Sequence, residues 1–231
     1  MNDREERRAQ RGRRAGKDYE TRDLGNGVVQ ATEDEVMRAM GALPPDLGWD
    51  EVAYSLVPIL PRRRSLPPTA GTPFRITVPA GIEVGFGIDI GPAFLMVGET
   101  LVKEWGLTGD QLLATAIANL RRRLREVHRQ DLFRQPIDGV PTRVLQSGVG
   151  LASALILDPG ELARLFGKGP ALFLAPMRDI LIALPPDVNR ALAAWLHDEF
   201  AALDPNGLAL EALVWERGAI RHEPFLTGGG G

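Results

Sequence analysis

Two hydrophobic rhythms alternate along this chain. In residues 108–127 the side chains of Leu113, Ile117, Leu120, Leu124 and Val127 recur at a 3.6-residue spacing, which predicts an amphipathic helix. Thr108-x-x-Gln111 supplies a capping box at its start. Around 74–97 the rhythm is instead a two-residue alternation, Phe74, Ile76, Val78 and then Val84, Phe86, Ile88, Ile90, broken by glycines. That predicts a hairpin or a bent strand pair. Before it, Thr32-x-x-Glu35 with Val36 and Met40 predicts a short helix ending at Gly41, and YSLVPIL predicts a strand. Pro61, Pro67, Pro68 and Pro73 mark an extended connection between them and the hairpin.

The C-terminal third is the densest in folding signals. A strand pair is expected over 141–157 around Ser147-Gly148, with ASALIL as its second strand. Asp158 caps a short helix with Pro159 at its first position and Gly167 at its end. ALFLAP and DILIAL pair as a hairpin about Met177-Arg178. Asp187 is the expected cap of a last helix whose buried stripe is Val188, Leu192, Trp195, Leu196 and Leu203. EALVWERGAIRHEP closes the chain as a hairpin turning near Arg217-Gly218. Hairpins rather than crossovers join most strands, so the expected fold is α+β, a mainly antiparallel sheet built from hairpins alternating with helices.

Composition narrows the class. The 231 residues are 44% hydrophobic and 25% charged, ordinary globular usage with length enough for a real core. There is no cysteine, which excludes disulfides, thiolate zinc sites and a cysteine nucleophile. Residues 1–18 lack the apolar stretch of a secretory signal, and no run reaches the roughly 18 apolar residues of a membrane span. A cytoplasmic protein without membrane contact is expected. The net charge of −3 hides a basic segment: Arg4, Arg7, Arg8, Arg11, Arg13, Arg14 and Lys17 precede a more acidic remainder. Residues 1–23 are therefore expected to be a disordered basic arm. Residues 24–226 form the α+β domain, with 24–73 readable as a separate N-terminal lobe, and 227–231 form a flexible glycine tail. Only Lys17, Lys103 and Lys168 are lysines among 27 basic residues, a skew that a GC-rich genome also produces.

Five segments, in this order, resemble the bacterial YtpQ-like family, whose function is not known. They are VPILPRRRSLP at 57–67, FGIDIGPAFLMVGETLVKEWGLTGDQLLATAIANL at 86–120, ASALIL at 152–157, ALFLAPMRDILIAL at 171–184 and LVWERGAIRHEPF at 213–225. The resemblance spans about residues 50–225 and implies a fold and a bacterial cytoplasmic setting, but no activity. The basic N-terminus, the glycine tail and 124–143 stand outside it.

The remaining motifs carry little chemistry. GFGIDIG at 85–91 resembles the first phosphate loop of actin-like and sugar-kinase folds, in which an aspartate serves metal and phosphates. Pro92-Ala93-Phe94 replace the usual small hydroxyl residues, so the plainer reading is a glycine-bent hairpin with Asp89 on its polar face. His128 and His197 fall on expected solvent-facing sides of helices and His222 in the last strand, without metal-ligand spacing. Ser147 and Ser153 lie outside any nucleophile elbow and read as turn and small-strand residues. Asp198-Glu199 and Glu33-Asp34-Glu35 read as helix solvation and capping. No metal site and no cofactor are expected.

Three functional readings follow. The leading one is a non-catalytic protein-binding or adaptor domain, with Arg178 and Asp179 at a rigid hairpin tip as its candidate contact. The alternative is an enzyme that binds a phosphate-containing small molecule through Asp89 and Arg62, with Arg63 and Arg64 adding to an anion-binding patch. The third is salt-dependent nucleic-acid association through Arg7, Arg8, Arg11, Arg13 and Arg14, joined by Arg122 and Arg125 of RRRLREVHR. The plain counterpart of that last motif is a solvated helix face.

Overall fold

The computed structural model describes residues 22–23, 29–30, 32–43, 46–62, 72–91, 93–148, 150–204, 207–223 and 225. The chain packs as two units, residues 1–47 with 89–95, and residues 48–88 with 96–231. In the first unit β1 (Arg22–Asp23) pairs antiparallel with β2 (Val29–Gln30), so the last two residues of the expected disordered arm are strand. Helix α1 (Glu33–Gly41) has the expected capping box: Glu35 N donates to Thr32 Oγ1 at 3.3 Å, and Thr32 N donates to Glu35 Oε2 at 2.7 Å.

The second unit begins with α2 (Trp49–Val52) and a 3-10 turn leading into β3 (Leu56–Ile59). The alternating segment makes β4 (Arg75–Thr77), β5 (Glu83–Asp89) and β6 (Phe94–Met96), three strands rather than two, of which Asp89, Phe94 and Leu95 count with the first unit. β5 is central, with β3 antiparallel on one side, while β4 and β6 also pair with it. Helix α3 (Glu99–Trp105) stops at Gly106, whose φ of 67° is the left-handed conformation glycine adopts without strain. Helix α4 (Gly109–Arg123) starts at the Thr108–Gln111 box and packs on β3. Its buried residues are Leu112, Ala116, Asn119 and Leu120, so the face turns by about one residue from the expected stripe, and Val127 lies beyond the helix end. Asn119 sits in that face because its Nδ2 donates to Ala53 O at 2.7 Å and Leu56 O at 2.8 Å. Those bonds pair the buried amide of Asn119 with backbone carbonyls at the turn that leads into β3.

The larger sheet holds β7 (Phe133–Ile137), β8 (Val140–Gln146), β9 (Ala171–Met177), β10 (Ile180–Leu184), β11 (Ala212–Glu216) and β12 (Ala219–Glu223). Their order is β12-β11-β9-β10-β8-β7, and every pairing is antiparallel. Asp138-Gly139 and Arg217-Gly218 turn two of its hairpins with positive φ at both positions, the backbone twist that two-residue hairpins favour. Helix α5 (Pro159–Phe166) links β8 to β9, and α6 (Arg190–Ala202) links β10 to β11. One sheet face gives Leu172, Leu174, Ile182, Leu184 and Ala212 to a core with Val188, Ala193 and Leu196 of the α6 segment. On the other, Phe166 of α5 meets Phe173 of β9 edge-on at 5.0 Å. Cover on both faces explains why β9 reads as one apolar run and is buried throughout.

The fold is α+β with antiparallel sheets, as the pattern predicts. Two further expectations fail. ASALIL is a buried 3-10 turn at Ser153–Leu157, and the partners of β8 are β7 and β10. Asn189, not Asp187, caps the last helix, its Oδ1 accepting from Ala191 N at 2.8 Å. No helix among the described residues is long and apolar enough to cross a membrane.

Candidate functional site

The Arg178-Asp179 turn gathers both serines singled out in the sequence. The Asp179 carboxylate accepts from Ser147 Oγ, from Gly148 N at 2.7 Å and from Gly150 N at 3.0 Å. Gly148 and Gly150 both have φ of 70°, which lets their amides face one carboxylate. Beside it, Ser153 N donates to Arg178 O at 3.0 Å, and Ser153 Oγ bonds Met177 O and lies 2.8 Å from Ile180 O. Ser153 is 1% exposed. This arrangement clasps residues 147–153 onto the β9–β10 turn, with the carboxylate spent on three donors.

Asp89 and Arg62 fall in different units. GFGIDIG is strand β5 running into a turn, where Asp89 Oδ1 accepts from Gly91 N at 2.7 Å and Gly91 takes φ of 94°. Arg62 bridges to Leu208 in an isolated antiparallel contact, and Ala209 N donates to Pro61 O at 2.9 Å. Burial pushes the Arg62 guanidinium below its ordinary pKa, against the opposing pull of Asp204. Arg63, Arg64 and the arm arginines Arg7, Arg8, Arg11, Arg13 and Arg14 lie outside the described residues, as does the glycine tail.

RRRLREVHR is more than a solvated face. Arg121 Nε and Nη2 bond Asp158 Oδ2 and Oδ1 at 2.5 and 3.0 Å. Asp158 is 2% exposed and also caps α5 through Glu161 N at 3.3 Å. Burial alone would raise its pKa, but the Arg121 bonds and charge, with the amides of Glu161 and Gly160, hold it below the ordinary carboxylate value. Arg122 donates to Asn119 Oδ1 at 2.8 Å and Tyr54 O at 2.6 Å, its guanidinium 3.3 Å from the centre of the exposed Tyr54 ring. Arg125 is exposed.

Two further arginines, Arg129 and Arg143, reach the C-terminus of α5, and a third, Arg134, bonds the backbone of Arg129. Arg129 Nε donates to Arg164 O at 2.6 Å and its Nη2 to Ala163 O at 3.2 Å, Arg143 Nη1 bonds Phe166 O, and Arg134 Nη2 donates to Arg129 O at 3.5 Å. Carbonyls at a helix end attract cations, which accounts for the Arg129 and Arg143 contacts. Strand pairing sets Arg134 directly opposite Arg143. Sequence reading missed this cluster, although Asp138-Gly139 was a hairpin signal from which that pairing could be counted.

His197 is fully buried, contrary to the surface position its spacing suggested. Its Nδ1 lies 3.5 Å from Asp198 Oδ1 and its ring meets Phe225 edge-on at 5.9 Å. His128 is exposed and His222 half-buried. Among the described residues no group of three or more histidines and carboxylates could hold a metal ion.

The outward side of α6 shows the opposite error. Trp195 is 49% and Leu203 50% exposed, although both were assigned to the buried stripe. Residues three, four, seven and eight apart share a helix side, so Trp195, Asp198, Glu199, Ala202 and Leu203 form one exposed surface, aromatic at one end, aliphatic at the other and acidic between. Comparison with family models, curated proteins and solved structures finds no match to this chain.

Proposed function

We propose that this chain is a non-catalytic docking protein that binds a basic segment of a protein partner on the outward side of α6. The observation that carries the reading is Trp195, half exposed on a helix whose other side is held by the sheet. A single exposed apolar residue is ordinary. Trp195 and Leu203 instead bracket two exposed acids, Asp198 and Glu199, on one rigid element. Tryptophan is the side chain most enriched among residues that dominate binding energy. An indole beside carboxylates suits an arginine or lysine, which can lie over the ring while its charge meets Glu199.

Site-specific photo-crosslinking tests this directly. A photoreactive residue in place of Trp195 is expected to capture a partner in cell lysate through peptides rich in lysine and arginine. The same residue in place of the exposed Asp110, at the start of α4, captures nothing comparable. Capture of a second copy of this chain, equal yield at both positions, or no cross-link would overturn the proposal.

A further inference from the structure

We propose that Arg129, Arg134 and Arg143 form a binding site for a phosphate group carried on a small molecule. Like charges set directly opposite across a strand pair destabilise it, and β7–β8 places Arg134 opposite Arg143. The sheet position, the turn and the α5 carbonyls hold these side chains together. Their charge is not neutralised within the fold: none of the three has an ion-pair partner among the described residues. Asp131, close in sequence, bonds His128 N at 2.8 Å and forms no ion pair with the three, and Glu161 pairs with Arg164 at 2.7 Å. A helix C-terminus offsets only about half a charge, which leaves most of three positive charges without a counterion.

The donors are there to use that charge. A guanidinium has five N–H groups, and the carbonyl contacts engage two on Arg129 and one each on Arg134 and Arg143. Arg143 is half-buried, with its guanidinium 5.7 Å from the Phe166 ring centre. It lies opposite Arg134 in the strand pair and shares the α5 end with Arg129, and its pKa is lowered first by burial and then by Arg134 and Arg129. An oxyanion bonded by all three would relieve the repulsion that the bare cluster carries, and guanidinium forks match phosphate geometry. Arg129 and Arg143 share one helix end and Arg134 joins them through the strand register and Arg129 O, a cluster and not a row, which fits one or two phosphates on a small molecule better than a nucleic-acid backbone.

Calorimetric titration of the full chain with inorganic pyrophosphate, in chloride buffer, tests the site. Saturable binding is expected. Arg134→Gln removes only a 3.5 Å bond from the folded protein, so it should keep the melting temperature of the ligand-free protein or raise it. It should weaken pyrophosphate binding by roughly tenfold to a hundredfold, the range for a hydrogen bond to a charged group. Arg125→Gln, exposed and outside the cluster, should bind as the parent does. The proposal is overturned by any of four results: no saturable heat, an equal loss in Arg125→Gln, a lower ligand-free melting temperature in Arg134→Gln, or an oligonucleotide that binds more tightly than pyrophosphate with affinity rising with its length. The last result would assign the arginines to nucleic acid instead.

Discussion

Removing the carboxylate of Asp158 separates the two tasks it performs. It caps α5 through Glu161 N and pairs with Arg121 through two hydrogen bonds. Loss of an N-cap costs about 1 kcal/mol. A charge-assisted pair would add about 1.5–3 kcal/mol, but the Arg121 side chain is 58% exposed. Solvent screening brings that contribution down to about 1 kcal/mol. Asp158→Ala should therefore lose about 2 kcal/mol, or about 4–8 °C in melting temperature for a chain of this size. Asp158→Asn keeps a capping oxygen and should lose only about half as much.

The pH dependence has a definite sign. The folded-state pKa of Asp158 is depressed, so its charge stabilises the fold above the unfolded value, and this contribution disappears as pH falls through the lower folded value. In urea titrations the gap between parent and Asp158→Asn should be full at neutral pH and close below about pH 4. A gap that persists unchanged into acid, or no gap at neutral pH, would refute the ion-pair reasoning. A loss in Asp158→Ala below about 0.5 kcal/mol would refute the cap as well.

Two further substitutions test the clasp around the β9–β10 turn. Ser153→Ala leaves the carbonyls of Met177 and Ile180 without their buried hydroxyl and should cost about 1–2 kcal/mol in chemical denaturation; an unchanged midpoint would show the bonds to be dispensable. Asp179→Ala should abolish hydrogen-exchange protection of the Gly148 and Gly150 amides and lower the melting temperature. Retained protection would mean that the carboxylate does not hold the loop, leaving it available as a contact.

Local chemistry made part of this fold readable. The caps at Thr32, Thr108 and Asp158 each join a hydroxyl or carboxylate to an amide three residues on, and sequence spacing specifies that geometry. The hairpins at 171–184 and 212–223 were legible because an apolar run, a turn and a second apolar run follow in order. The β7–β8 hairpin was obscured by Pro136 and Pro141, which argue against a strand; Pro136 is tolerated in the edge strand β7, and Pro141 lies at the start of β8, before its pairing with β10 begins at Arg143. ASALIL fits a short strand or a tight helical turn equally well by pattern, and the Ser153 contacts across the chain decide.

The side of α6 was lost for a different reason. Leu192, Ala193, Ala194, Trp195 and Leu196 are consecutive, so no period selects a face. Packing against β9 and β10 buries Ala193, Leu196 and His197 and leaves Trp195 outward. The candidate surfaces share that origin. Trp195 with Glu199 is set by which side the sheet takes, and Arg129 with Arg134 and Arg143 by strand register and a helix end far along the chain. Neither is a sequence motif.

The central claim is that the outward side of α6 holds a basic partner. It is tested most directly by the affinity of the partner cross-linked at Trp195 for the parent chain and for Glu199→Lys, measured at low and high salt. Reversing this exposed charge leaves the fold intact. The account predicts binding at least about tenfold weaker at low salt, with the difference shrinking as salt screens it. Equal affinity of the two chains, or a difference that does not change with salt, would contradict it.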